Sequence, residues 1–274
     1  MICDSIFITS SAYDEKVGLM GLVRTPEELK QRKQHFAEGS MVGDTKILFA
    51  SFLTDPKVIK RVLPPPLEPA PQPIGLVYVA EFGTSNFSRP YNEAAVFLSA
   101  QFKGEIGNYC ISMPVTLDAP MWLGRENEGY PKKLAEFIAI EERGNYVTGN
   151  CIRRSKRLIT LTIQLKGPLK QELPQTDTFV IKAFPNITGE GFEYPPLLIR
   201  LQNEFRWNTP EMGVGRLTFG ESPHDPIHEI PIKDVILAGY GTGIEIWTPP
   251  GEVVAELDSE TYEPFYWIKQ DWDY

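Results

Sequence analysis

Short apolar runs, each cut off by glycine or proline, constrain this chain more than any other feature. Ile159, Leu161, Ile163 and Leu165 alternate with Thr160, Thr162 and Gln164. That period of two turns one face of a strand toward a core. Runs of similar length recur at 75–82, 94–102, 109–117, 136–142, 146–152, 179–184, 197–205, 215–219 and 235–247. The chain has 22 glycines and 24 prolines, a supply that suits many strands joined by tight turns better than long helices. The expected fold is mainly β, a closed and largely antiparallel β-barrel with peripheral helices. All-β units of 274 residues occur as single domains.

Helices are expected only at the margins. Thr25-Pro26-Glu27-Glu28 has the order of a helix start: a capping hydroxyl, proline at the first helical position and a glutamate that completes the capping box. Asp55-Pro56 opens a second short helix, which stops before Pro64-Pro65-Pro66. Residues 252–272 read as a terminal helical region interrupted by Pro264. The resulting division is an amino-terminal extension with a helix over 1–40 and one barrel domain over 41–274.

The formal net charge of −9 opposes binding to phosphate backbones, so no nucleic-acid partner is expected. Any site for an anion needs local positive charge to overcome that field. Cys3, Cys110 and Cys151 are odd in number, widely spaced and contain no CxxC pair, which argues against a disulfide framework or a cysteine zinc site. No basic-then-apolar leader and no membrane-length apolar stretch stands out, so a cytoplasmic location is expected. His224 and His228 have i, i+4 spacing, but Pro223 and Pro226 argue against a shared helix face, and no metal is expected. No dinucleotide, Walker-type or HExxH pattern occurs, so no cofactor is expected either.

The chemistry-bearing stretch is Gly124-Arg125-Glu126-Asn127-Glu128-Gly129-Tyr130-Pro131-Lys132-Lys133-Leu134. A lysine amine is a nucleophile only when neutral; low dielectric and a neighbouring cation both favour that form. Taken alone, a Lys-Lys pair reads as solvated surface, its side chains on opposite sides of an extended backbone.

Gly-Arg-Glu followed by Tyr-Pro-Lys-Lys-Leu resembles the signature of the acetoacetate decarboxylase family, the standard example of lysine activation by a nearby cation. The resemblance implies that Lys132 forms a Schiff base with a small oxo-acid or ketone and that Lys133 is the perturbing cation. Tyr91-Asn92-Glu93 resembles the family's Tyr-x-Glu, which implies a proton-transfer or orienting role for Glu93. Lys182-Ala183-Phe184-Pro185-Asn186 and the stretch from His224 through Ile230-Pro231-Ile232-Lys233-Asp234-Val235 extend the likeness over roughly 45–257. Arg125 and Glu126 either face substrate or pair with each other to support the lysine loop. Asp118, Met113 and Trp122 line a pocket or fill the core, and the core suits the Met and Trp better. A homo-oligomer is implied by the resemblance alone.

Two positions depart from the family's pattern. Thr45, with Lys46 beside it, stands where the decarboxylases carry a strand arginine thought to place the substrate carboxylate. In the strand before Glu93, either Ala80 or Glu81 stands where the family has a second acid; a one-residue slip turns that side chain to the other face. The leading expectation is decarboxylation of a β-keto acid. A Schiff-base aldolase or dehydratase acting on an oxo-acid, as similar proteins do, is the first rival. A non-catalytic small-molecule-binding barrel is the second.

Overall fold

The computed structural model describes residues 22–169, 173, 175–208 and 210–270. It opens with helix α1 (Pro26–Glu38), then β1 (Ser40–Leu53), α2 (Pro56–Val62), β2 (Glu68–Pro69), β3 (Ile74–Ser85), β4 (Tyr91–Phe102) and β5 (Glu105–Val115). Next come α3 (Asp118–Leu123), a π-helical turn (Gly124–Glu128), β6 (Lys132–Leu134), β7 (Phe137–Arg143), β8 (Tyr146–Arg153), β9 (Lys156–Pro168) and β10 (Asp177–Lys182). The last part holds β11 (Leu197–Leu201), β12 (Glu204–Arg206), β13 (Glu211–Phe219), a 3-10 turn (Ile227–Glu229), β14 (Asp234–Thr248), β15 (Glu252–Glu256), α4 (Ser259–Tyr266) and a final 3-10 turn (Trp267–Lys269).

All strands join one sheet. Its main path runs β15-β11-β10-β5-β4-β3-β1-β14-β13-β9-β8-β7, with β12 on β14, β2 on β4 and β6 on β5. Pairing is antiparallel except for β10 with β5 and β5 with β6. The sheet is not a closed barrel. Its path ends at β15 and β7, which do not pair with each other. Instead β7 folds over β3 and β4 and is held there by side chains: Asn92 Nδ2 donates to the Ile138 carbonyl at 2.6 Å, and Glu81 Oε1 accepts from the Ile140 amide at 2.8 Å. These two bonds satisfy part of the β7 edge without a backbone ladder.

The period-two pattern decides which side of the sheet is core. Leu48, Ala50 and Phe52 of β1, Val77 and Val79 of β3, and Ala94, Val96 and Leu98 of β4 turn to one face. They pack in the main core against Ile138, Val147, Cys151, Ile159, Leu161 and Ile163 from the folded-over β7–β9 layer. The layers approach closely at Gly149, where an added Cβ would lie 2.8 Å from Val79. The intervening residues, Ile47 and Phe49 on β1, Tyr78 on β3 and Glu93 on β4, turn to the other face. The register places Ala80 opposite both Ile47 and Glu93, and Tyr78 opposite Phe49.

At the margins, Thr25 caps α1 with the full capping box, and Asp55 caps α2. The run at 197–205 divides into β11 and β12, and Asn203 between them binds Thr178 and Thr248 by its side chain. The expected terminal helical region is a helix only from Ser259; before it, β15 pairs with β11 along the sheet edge. Among the described residues no helix is long and apolar enough to cross a membrane.

Candidate active site

Lys132 enters the structure on β6, which runs parallel to β5 with Lys132 opposite Met113. The loop before it is fixed by a π-helical turn, a rare form concentrated at functional sites. Gly129 ends that turn at φ 93 and sits on the end of β10, where a Cβ would meet Lys182 N at 2.7 Å. Only glycine fits both demands. Lys269 Nζ donates to the Ile181 carbonyl at 2.7 Å and the Gly129 carbonyl at 3.3 Å, which ties loop and strand together. Arg125 Nη1 donates to the Lys132 carbonyl at 3.4 Å.

The Lys132 side chain reaches the sheet face that carries Glu93, and both are buried. Lys132 Nζ lies 2.7 Å from Glu93 Oε2. The other oxygen of Glu93 accepts the Tyr78 hydroxyl. The Tyr91 and Tyr130 rings stand 5.9 and 5.6 Å from Nζ, within cation–π range. Burial, and after it the charge of Glu93, pushes the Tyr78 phenol well above its ordinary range, so it serves as a proton donor to that carboxylate. Glu128, from the π-helical turn, also faces Lys132. Burial raises its carboxyl against the opposing pull of Lys132 and of the Ser40 hydroxyl.

These groups line a cavity of about 430 Å³. The Lys132 stem fits against Gly124, where an added Cβ would lie 2.5 Å from Cε and 2.7 Å from Cδ. The lysine therefore occupies space that any other residue at 124 would fill.

The remaining expected site residues lie elsewhere. Lys133 turns to the reverse face of β6, as alternation along a strand requires. There it pairs with Asp225 at 3.0 Å and donates to the His224 carbonyl at 2.9 Å, beside a second cavity of about 210 Å³. Asp225 also binds the buried Arg153 at 2.6 Å. Arg125 and Glu126 do not line the large cavity and form no ion pair with each other among the described residues; Arg125 instead supports the Lys132 backbone. Glu81 faces β7, while Ala80 turns to the side of Glu93. Thr45 is buried outside the cavity, and Lys46 pairs with Glu142 at 2.8 Å on the reverse face. Met113 lines the cavity, but Trp122 is 56% exposed and belongs to neither core nor cavity. Sequence reasoning missed Tyr78, Glu128 and Asp225. Glu128 stood inside the quoted motif and Asp225 next to His224, so position in the motif was the only signal for either. No group of His, Cys, Asp and Glu is arranged to hold a metal among the described residues.

The acetoacetate decarboxylase (ADC) family model matches residues 25–256. The chain belongs to the acetoacetate decarboxylase family. That match begins within the expected extension, at the residue that caps α1. Acetoacetate decarboxylase 1 of Bradyrhizobium diazoefficiens is 25% identical over 202 residues, covering 71% of this chain and 79% of the relative. A CLA biosynthesis isomerase of Lactiplantibacillus plantarum is 29% identical over 136 residues, and this chain spans about half its length (48% of each). Among solved structures, acetoacetate decarboxylase from Legionella pneumophila superposes with a TM-score of 0.74 at 23% identity, over 80% of this chain and 88% of that one. The enduracididine biosynthesis enzyme MppR, solved with the condensation product of pyruvate and imidazole 4-carboxaldehyde, does so with 0.69 at 16% identity, over 80% and 90%. Likeness at these identities speaks to the fold.

Proposed function

We propose that this chain is a Schiff-base lyase in which Lys132 condenses with the carbonyl of its substrate. The observation that carries the reading is the 2.7 Å contact between Lys132 and Glu93, buried on the wall of a mainly apolar cavity. Glu93 is the group within reach to accept the ammonium proton. The neutral amine then attacks the carbonyl carbon, water leaves, and an iminium forms. The bond between the α-carbon and the carboxylate then breaks, its electron pair flows into the iminium to give an enamine, and CO2 leaves. Glu93, or a water it orients, returns a proton to the enamine carbon, and hydrolysis restores the lysine. Tyr78 fixes the carboxylate in place, and Lys133, anchored to Asp225, braces β6 from behind. The reaction that family membership supports is decarboxylation of a β-keto acid.

One observation favours a second reading. Lys132 is the sole Lys, Arg or His among the described residues lining the cavity. Once it is in the iminium, no described cation remains to hold a carboxylate beside the reacting carbon, an alignment that decarboxylation needs. Aldol condensation, retro-aldol cleavage or dehydration makes no such demand, and MppR with its condensation product supports such chemistry on this fold.

The test is borohydride reduction in the presence of small ketones and oxo-acids, followed by intact mass and peptide mapping. An adduct on Lys132, lost in Lys132→Ala, is expected. Its absence from every compound, in a folded protein, would refute the Schiff base. Release of CO2 from acetoacetate, set against condensation of pyruvate with an aldehyde, separates the two readings.

A further inference from the structure

The cavity is asymmetric. The charged residues described on its lining, Lys132, Glu93 and Glu128, cluster together, and burial raises the Glu128 carboxyl against the pull of Lys132. From there the cavity follows one face of the sheet along β3 and β4. Tyr78, Leu76 and Ile74 recur at every second position of β3, and Glu93, Phe97 and Ser99 lie on the matching face of β4. The register sets Leu76 opposite Phe97, and Ser99 opposite Asn108 of β5. Six residue steps along β4 lead from Glu93 to Ser99, a span of about 20 Å at the usual rise. Ile106, near the Ser99 end, is 56% exposed, so that end reaches solvent.

A small keto acid has no use for this length. At about 30 Å³ for a water-sized unit, 430 Å³ holds roughly fourteen such units. Acetoacetate would fill only about half of that and leave apolar walls around a void. The cleft is walled mainly by apolar side chains, so its length suits an occupant longer than a small keto acid.

Resting on the Schiff-base reading for the position of the carbonyl, we infer that the substrate is a ketone or oxo acid bearing a long, unbranched apolar chain. The carbonyl lies at Lys132. The chain runs along the β3–β4 face over Leu76 and Phe97, toward Ser99 and Ile106. Specificity then comes from methylene burial rather than from a clamp on a charged group.

The experiment uses the full chain with methyl ketones of increasing length: acetone, heptanone and undecanone. Two readouts are taken on the wild-type protein. The first is the half-saturating concentration for borohydride trapping on Lys132. The second is the ligand-induced shift in Tm without borohydride. Each buried methylene is worth about 0.8 kcal/mol, so the half-saturating concentration should fall about fourfold per added carbon until the channel is full. The Tm shift should rise in the same order. A Tm gradient with no adduct on Lys132 would sink the Schiff-base reading while supporting the channel. An adduct that forms equally well at every length, with a flat Tm series, would overturn the channel and leave the Schiff base standing. Leu76→Trp places a large ring halfway along the proposed path. It should cut the preference for undecanone over heptanone at least tenfold; an unchanged preference in the folded variant overturns the assigned path.

Discussion

Gly124→Ala tests the site through a single methyl group. Gly124 has helical backbone angles, φ −67 and ψ −34, so alanine fits the chain and improves helix propensity by up to about 1 kcal/mol. The added Cβ, however, would stand 2.5 Å from Lys132 Cε, 2.7 Å from Cδ and 3.2 Å from Nζ. Ordinary contact begins near 3.4 Å, so the lysine end must retreat by about 0.9 Å, the difference between 3.4 and 2.5. Glu93, Tyr91 and Tyr130 stand around the Lys132 amine, so its free direction of retreat is into the cavity that it lines. Its retreat breaks the 2.7 Å contact with Glu93. A misplacement of about 1 Å in a reacting group costs on the order of 100-fold in rate. The expected result is a drop of about 100-fold in borohydride trapping on Lys132 and in kcat for whichever carbonyl compound the wild type turns over. Circular dichroism should stay close to wild type, while Tm should fall because the disturbed pair is buried. Trapping at the wild-type rate in a folded Gly124→Ala protein would refute the claim that this position of the amine is the reactive one.

Other perturbations separate the remaining groups. Glu93→Gln keeps the shape but removes the proton acceptor 2.7 Å from Lys132; turnover should fall by about 10²–10⁴-fold, and wild-type pH–rate behaviour would exclude Glu93 from proton transfer. Lys133→Met leaves buried Asp225 with Arg153 but without its lysine; urea denaturation should show a loss on the order of 3 kcal/mol. If Lys133 acts chiefly as a charge on Lys132, trapping will slow with no such destabilisation, and Lys133→Arg will restore it. Burial holds the Lys269 amine down at about 7, from an ordinary 10.5. The unfolded chain therefore binds the extra proton between those values, so this group's contribution to stability rises with pH from 7 to 10.5 and is at its least favourable below 7. The span amounts to about 5 kcal/mol at 1.36 kcal/mol per unit. Lys269→Met should flatten the stability–pH curve in that window, and an unchanged curve would show that Lys269 is charged or solvated at neutral pH.

Strand content and the lysine motif were legible because each rests on local signals. Alternation in residues 159–165 needs no partner to be read as one buried face. The capping box at Thr25 closes within four residues. Closure was not legible, because it depends on whether β7 meets a strand edge by backbone or by side chains, and Asn92 and Glu81 give no sign of that role in sequence. The same limit applied to Glu81 as a site residue: its one-residue offset from Ala80 decided the face, and only the register with β4 resolves it.

The lysine pair shows most clearly how much a strand assignment is worth. Adjacent residues of an extended segment point apart, so a Lys-Lys pair on a strand places only one amine in any given site. The structure puts Lys132 with Glu93 and Lys133 with Asp225, two buried ion pairs on opposite faces of β6. Each carboxylate comes from far along the chain, which is why neither pairing was written in the local sequence. The arrangement also explains why two adjacent buried lysines are tolerated. Each charge meets its own carboxylate, so the cost of desolvating either is offset on its own side of the strand. Exchanging Glu93 for an amide should therefore disturb trapping at Lys132 and leave the Lys133–Asp225 side intact, whereas a common electrostatic unit would lose both together.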